Sequence, residues 1–130
     1  ETANWNRAQA AARTAQWLEE FGDGIEVIFS NNDDMALGAI DALADTPRDR
    51  WPLIVGVDAT APALEAVAAG QLYGTVHNDG RGQARAMIDL ALALWNGEDP
   101  AQAVDLAGGH YVWLPYRQVT LENLEEFWDQ

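Results

Sequence analysis

The 130-residue sequence contains no cysteine and no lysine. Without cysteine there is no disulfide framework, no thiolate nucleophile and no cysteine-based zinc site. Without lysine there is no Schiff-base amine and no phosphate-loop lysine. All seven cations are arginine, and they face 21 carboxylates. The net charge of −14 argues against nucleic acid, whose phosphates need basic side chains, and against an anionic membrane surface. Serine occurs once, as Ser30. His77 and His110 have no nucleophile or metal-ligand spacing around them and read as structural. No apolar run approaches the length of a membrane span. No signal peptide is visible in a chain that starts without methionine, which leaves removal by processing or truncation open.

What remains is enough for one core, with 48% of residues apolar. Ala8, Ala11, Ala15 and Leu18 recur at helical spacing until Phe21-Gly22. "IEVIF" (25–29) and "LIVGV" (53–57) are short, apolar and β-branched, and so read as buried strands. "LYGTV" (72–76) reads as a third strand and "YVWLPY" (111–116) as a fourth. Further helical stripes run through Ala36, Ala39, Ile40 and Leu43, then Leu64, Val67 and Ala68, then Ala84, Met87, Ile88, Ala91, Leu92 and Trp95. "TLENLEEFW" predicts a terminal helix with Thr120 as its N-cap. Strands alternating with helices imply an α/β fold, a mostly parallel sheet flanked by helices.

In such a sheet, ligands bind beyond the carboxyl ends of the strands. The first strand is followed by Ser30, Asn31, Asn32, Asp33 and Asp34, the second by Asp58, the third by His77, Asn78 and Asp79. Asn and Asp are preferred N-caps, so capping accounts for one such residue per exit. It accounts less well for four in a row at the first. A rim of amides and carboxylates suits a neutral polyhydroxylated ligand, because each hydroxyl both donates and accepts. A phosphate site would need glycine-rich turns and cations, and neither "GDG" nor "DGRG" follows a strand in the required way.

The segments "ANWNRAQAAARTAQWL", "IEVIFSNNDDMALGAI", "VGVDATAPALEAVAAGQLYGTVHND" and "VWLPYRQVTLENLEEF" resemble, in order and spacing, the C-terminal part of periplasmic sugar-binding proteins of the galactose/glucose type. The resemblance covers nearly the whole chain. It implies a partial C-terminal lobe of a two-lobed type I periplasmic binding protein. Residues 1–77 would belong to the C-terminal lobe, 78–109 to a crossover helix of the N-terminal lobe, and 110–130 to a return segment. It further implies that Trp5 stacks on a pyranose ring, that Asn32 and Asn78 bind hydroxyls and that Asp58 accepts from them. On pattern alone Trp5 reads as core, on the stripe of Ala8 and Ala12, while Asn32 and Asp58 read as caps and Asn78 as a turn residue. Together these readings assign Asn32 to the ligand and the start of the next helix to Asp33 or Asp34.

Glu26 stands in an apolar strand, where a carboxylate must be paired, exposed or metal-bound. The resemblance implies a calcium site at Glu26 in the intact protein, completed by an oxygen-rich loop outside these residues. Calcium needs six or more oxygens, so a solvated edge position is the expectation for Glu26 here. No cofactor is otherwise required.

The resemblance implies a monosaccharide ligand, galactose or glucose first, held in an interlobe cleft and passed to a membrane ABC transporter permease. It implies a periplasmic location, or an extracellular one tethered to a bacterial membrane. Binding would be hinge closure with no chemistry, so no enzyme is expected; carboxylates at the exits have no visible environment to split them into acid and base. The alternative is the ligand-binding domain of a sugar-responsive repressor. A chain lacking the N-terminal lobe would expose the Ala84-to-Trp95 stripe, and is expected to cover it as a dimer or swapped assembly.

Overall fold

The computed structural model describes residues 1–128. The chain divides into two compact units, one of Glu1–His77 with Arg117–Gln130 and one of Asn78–Tyr116.

The first unit opens with α1 (Arg7–Phe21), capped by Asn6, whose side chain accepts the Gln9 N–H. β1 (Val27–Phe29), β2 (Leu53–Val55) and β3 (Gly74–His77) follow with α2 (Asp33–Ala42) and α3 (Ala61–Ala68) between them. β4 (Arg117–Thr120) returns from the second unit's end of the chain. The four strands lie in sequence order, the first three parallel and β4 antiparallel to β3. This is the mostly parallel α/β sheet that the strand–helix alternation implies.

The strands are not buried on both faces as their apolar runs predict. Ile28 pairs with Ile54 in register, and both are buried in a core shared with α2 and α3 (Ala36, Leu37, Ala39, Leu64 and Val67). Their neighbours Val27, Phe29 and Leu53 point to the opposite face, where they are exposed. Side chains alternate across a strand, and among the described residues this core gathers on one face. "IEVIF" therefore reads correctly as strand and wrongly as fully buried.

Three further expectations are corrected. "YVWLPY" forms no regular strand; the regular pairing begins at Arg117, after Tyr116. The C-terminal helix is a short 3-10 turn (Leu124–Phe127) that buries Leu124 and Phe127. Thr120 does not cap it: Thr120 ends β4 and donates its N–H to Asn123 Oδ1 at 2.9 Å.

The second unit contains α4 (Gly80–Asn96) and the single-turn α5 (Pro100–Ala103). Asp79 caps α4 by accepting the Gly82 N–H, and Gly97 ends it in the left-handed conformation. Of the α4 stripe, Met87, Ile88, Leu92 and Trp95 are exposed, the open apolar face expected from the sequence.

Candidate functional site

The exits of β1 and β2 are built differently, although both lead into helices. At the first, Asn32 has extended backbone and its Oδ1 accepts the Met35 N–H at 3.0 Å. Asn32 is therefore the N-cap of α2, and Asp33 is the first helical residue. The two readings of Asn32 are compatible: a cap uses the amide as an acceptor, and the Nδ2 donors belong to a separate part of its chemistry.

At the second exit capping fails as an explanation. The N-cap of α3 is Thr60, which makes no side-chain cap bond. Asp58 lies two residues earlier with φ of 118°, and Ala59 follows at 56°. Both values are unfavourable for residues carrying a Cβ. The turn is pinned by its backbone. Asp58 N–H donates to Val76 O at 2.8 Å, and Ala59 N–H donates to Thr75 Oγ1 at 3.3 Å.

Asp33 joins the two exits. It is fully buried. Its Oδ1 accepts the Thr75 hydroxyl at 2.6 Å, and its Oδ2 accepts the Thr60 N–H at 2.8 Å and the Thr60 hydroxyl at 3.2 Å. Burial pushes its carboxyl above the ordinary carboxylate value; the Thr75 and Thr60 bonds oppose that, and the nearby Asp58 charge adds to it. Gly56 makes room for it, since a Cβ there would overlap Asp33 Oδ1. Sequence reasoning assigned Asp33 only the start of a helix and missed Thr60 and Thr75. The available signals were the surplus of Asx residues at the first exit and the one threonine inside "LYGTV".

Trp5 is not core. It precedes α1 instead of lying on its stripe, and 64% of its surface is exposed. It occupies a tight turn closed by Asn6 N–H to Ala3 O at 2.9 Å, with φ of 50° at Asn4 and 59° at Trp5. Positive φ at both central positions is the type I′ pattern, where glycine or asparagine is usual and tryptophan is not. The neighbouring Ala3 lines a cavity of about 260 Å³ with Arg13, Thr14, Ser30, Asn31 and Met35, which places this turn beside the β1 exit.

Asn78 belongs to the second unit, where its Oδ1 accepts the Gln83 side-chain N–H at 2.6 Å. His77, the last residue of β3, pairs with Asp58 in a parallel bridge and packs its ring on Phe127 at 5.4 Å. The structure thus joins Asn32 and Asp58 through Asp33, and sets the Trp5 turn near the first exit.

Glu26 is exposed just before β1, and its backbone carbonyl accepts the Leu53 N–H. Among the described residues no three His, Cys, Asp or Glu side chains cluster to hold a metal ion, and one carboxylate falls far short of six oxygens.

Residues 1–99 match the family described as periplasmic binding protein domain. The chain is 37% identical to the xylitol-binding protein of Mycolicibacterium smegmatis, over 100% of this chain and 40% of that protein. It is 36% identical to the D-galactose/methyl-galactoside binding periplasmic protein MglB of Haemophilus influenzae, over 98% of this chain and 38% of that protein. Among solved structures it is similar to an ABC transporter solute binding protein of Bacillus halodurans with bound myo-inositol. There the TM-score is 0.82 at 36% identity, covering 97% of this chain and 40% of that one. The chain therefore spans about two fifths of the length of these relatives. All three are described as binding proteins.

Proposed function

The chain belongs to the periplasmic binding protein domain family, and from that premise we propose that it forms part of an extracytoplasmic solute-binding protein of an ABC sugar transporter. The ligand is a neutral polyhydroxylated molecule, a monosaccharide or a related polyol, with galactose or glucose as the first candidates. Trp5 offers an apolar ring face to the C–H face of the sugar. Asn32 and Asp58 exchange hydrogen bonds with its hydroxyls.

One observation carries this reading. Among the described residues, the non-glycine positions at positive φ are Asn4, Trp5, Asp58 and Ala59. They form two pairs, and each pair contains one side chain that the resemblance assigns to sugar. Backbone strain of this kind costs on the order of 1–3 kcal/mol per residue and is retained where the surroundings over-determine it, often at ligand sites. Both pairs lie outside the helices, just ahead of α1 and α3. Asn6 caps α1 with its own side chain, and the N-cap of α3 is Thr60.

The ligands named for the relatives are xylitol, galactose and myo-inositol. They share a dense array of hydroxyls and no charge, which suits a rim holding Asn and Asp within a strongly acidic chain. In this reading no bond is made or broken and no cofactor takes part. The sugar is delivered to a membrane permease, outside the cytoplasm.

The test is calorimetric titration of the chain with D-galactose, D-glucose, myo-inositol and xylitol, with Asp58→Asn and Trp5→Ala run in parallel. Saturable binding that both variants weaken supports the proposal. Binding that survives both substitutions, or binding of none of the four ligands, overturns it for this chain.

A further inference from the structure

We infer that Asp33 is a positioning residue: its buried carboxylate sets the Asp58 turn relative to Asn32 without itself meeting ligand. The purpose assigned to it rests on the sugar-binding reading, whereas the geometry stands independently of it. Asn32 is fixed from one side, being covalently attached to Asp33 and capping the helix that Asp33 begins. The β2 exit is fixed from the other, because three donors from Thr60 and Thr75 converge on the two oxygens of Asp33. Thr75 Oγ1 also accepts the Ala59 N–H. The two strained residues, Asp58 and Ala59, thus lead directly into a segment held by Asp33 on one side and by Thr75 on the other.

A buried carboxylate is a poor choice for stability alone. Its desolvation is costly, and an apolar residue would fill the same space without that cost. What a carboxylate offers here is two acceptor oxygens for three donors, in a space that Gly56 keeps open. Its place at the first turn of α2, bonded to the N-cap amide of α3, adds the favourable end of both helix dipoles. A turn held at positive φ needs surroundings that specify it several times over, and this bonding supplies them.

Substitution separates positioning from bulk. In Asp33→Asn the amide oxygen can still accept from Thr60, while Nδ2 donates to Thr75 Oγ1, whose hydroxyl then acts as acceptor. In Asp33→Ala both bridges are lost. The readout is amide NMR of this chain without ligand. The Asn variant should keep the Ala59 and Thr60 amide shifts close to wild type. The Ala variant should move both and lower the Thr60 hydrogen-exchange protection by about a hundredfold, with the Val119 amide in β4 far less affected. Should Asp33→Ala fail to fold, pH titration of the wild-type chain decides. The Thr60 amide shift should follow one titration lying above the ordinary carboxylate range, and Asp33→Asn should abolish it.

A Thr60 amide indifferent to pH and to Asp33→Ala overturns the inference. So does a loss of protection as large at Val119 as at Thr60, which would make Asp33 an ordinary core residue. These readings need no sugar, so a failure to bind sugar leaves them standing and removes only the purpose. Where D-galactose or myo-inositol does bind, Asp33→Ala should weaken it by about tenfold or more, as is usual for groups that orient a binding residue, and Asp33→Asn by much less.

Discussion

Gly38 of α2 passes so close to the backbone carbonyl of Arg7 in α1 that a Cβ on it would overlap the Arg7 oxygen. The same Cβ would stand 3.0 Å from Ala10 Cβ and 3.1 Å from Ala11 N. The two helices meet backbone to backbone, and the obstructing atoms belong to a helix that cannot yield like a flexible side chain. Gly38→Ala should therefore destabilise the fold by about 1–3 kcal/mol despite its better helix propensity. Urea unfolding followed by circular dichroism measures this. An unchanged or raised midpoint would mean that α1 slides freely over α2.

The turn at Trp5 predicts a trade between stability and binding. Trp5→Gly removes a largely exposed side chain and relieves a left-handed conformation that costs a non-glycine residue about 1–2 kcal/mol. Thermal unfolding should show no loss of stability and a gain of up to about 1 kcal/mol, since the greater freedom of glycine in the unfolded chain offsets part of the relief. Sugar affinity should fall sharply in the same variant. A clear loss of stability would show that the indole packs more than its exposure suggests.

The fold was legible because its signals are periodic. The apolar run before Asn31, the stripe of Ala36, Ala39, Ile40 and Leu43, and the short helix ahead of Gly70 each place an element near where it lies. The errors came from properties that a local pattern does not carry. Val27 and Ile28 are equally apolar, yet only Ile28 is buried, because burial depends on which sheet face other elements reach. Trp5 looks helical by spacing, and only the backbone turn before Asn6 removes it from the stripe. In the site, residue type indicated a polar rim. It could not indicate that Asp58 is no cap or that Asp33 is the buried link, since both depend on φ values and long-range bonds set by Thr60 and Thr75.

Two carboxylates should give pH dependences of opposite sign. Asp33 is raised, chiefly by burial. Its folded form holds a proton more tightly than the unfolded chain, so its contribution is fully present below the ordinary carboxylate value of 3.8 and is lost as pH rises through its higher folded value. Asp41 is lowered by its hydrogen bonds with Arg7, at 2.7 and 2.8 Å. Its contribution is present above 3.8 and is lost as pH falls through the depressed value. Both partners of that pair are about half exposed, so it should contribute under about 1 kcal/mol and fade in high salt. Unfolding free energies measured from pH 3 to 7 for wild type, Asp33→Asn and Asp41→Asn test this. Asp33→Asn should remove a decline toward neutral pH, Asp41→Asn a decline toward acid. The reverse assignment would refute the argument.

Gly56→Ala probes the Asp33 link without altering its chemistry. The new methyl group would occupy the space of Asp33 Oδ1 and lie 3.3 Å from Ala36 Cβ. Asp33 starts α2 and cannot retreat without disturbing the Asn32 cap, so the strain must fall on the bonds to Thr75 and Thr60. The variant should lose about 1–3 kcal/mol, the usual cost of overpacking. Its Thr60 amide should shift as in Asp33→Ala, although the carboxylate is still present. Apolar truncation elsewhere in the core, such as Leu43→Ala, should cost a similar or larger amount while leaving that amide in place. Equal movement of the Thr60 amide in Gly56→Ala and Leu43→Ala would mean that the exits respond to general loosening, and that their separation is not set by Asp33.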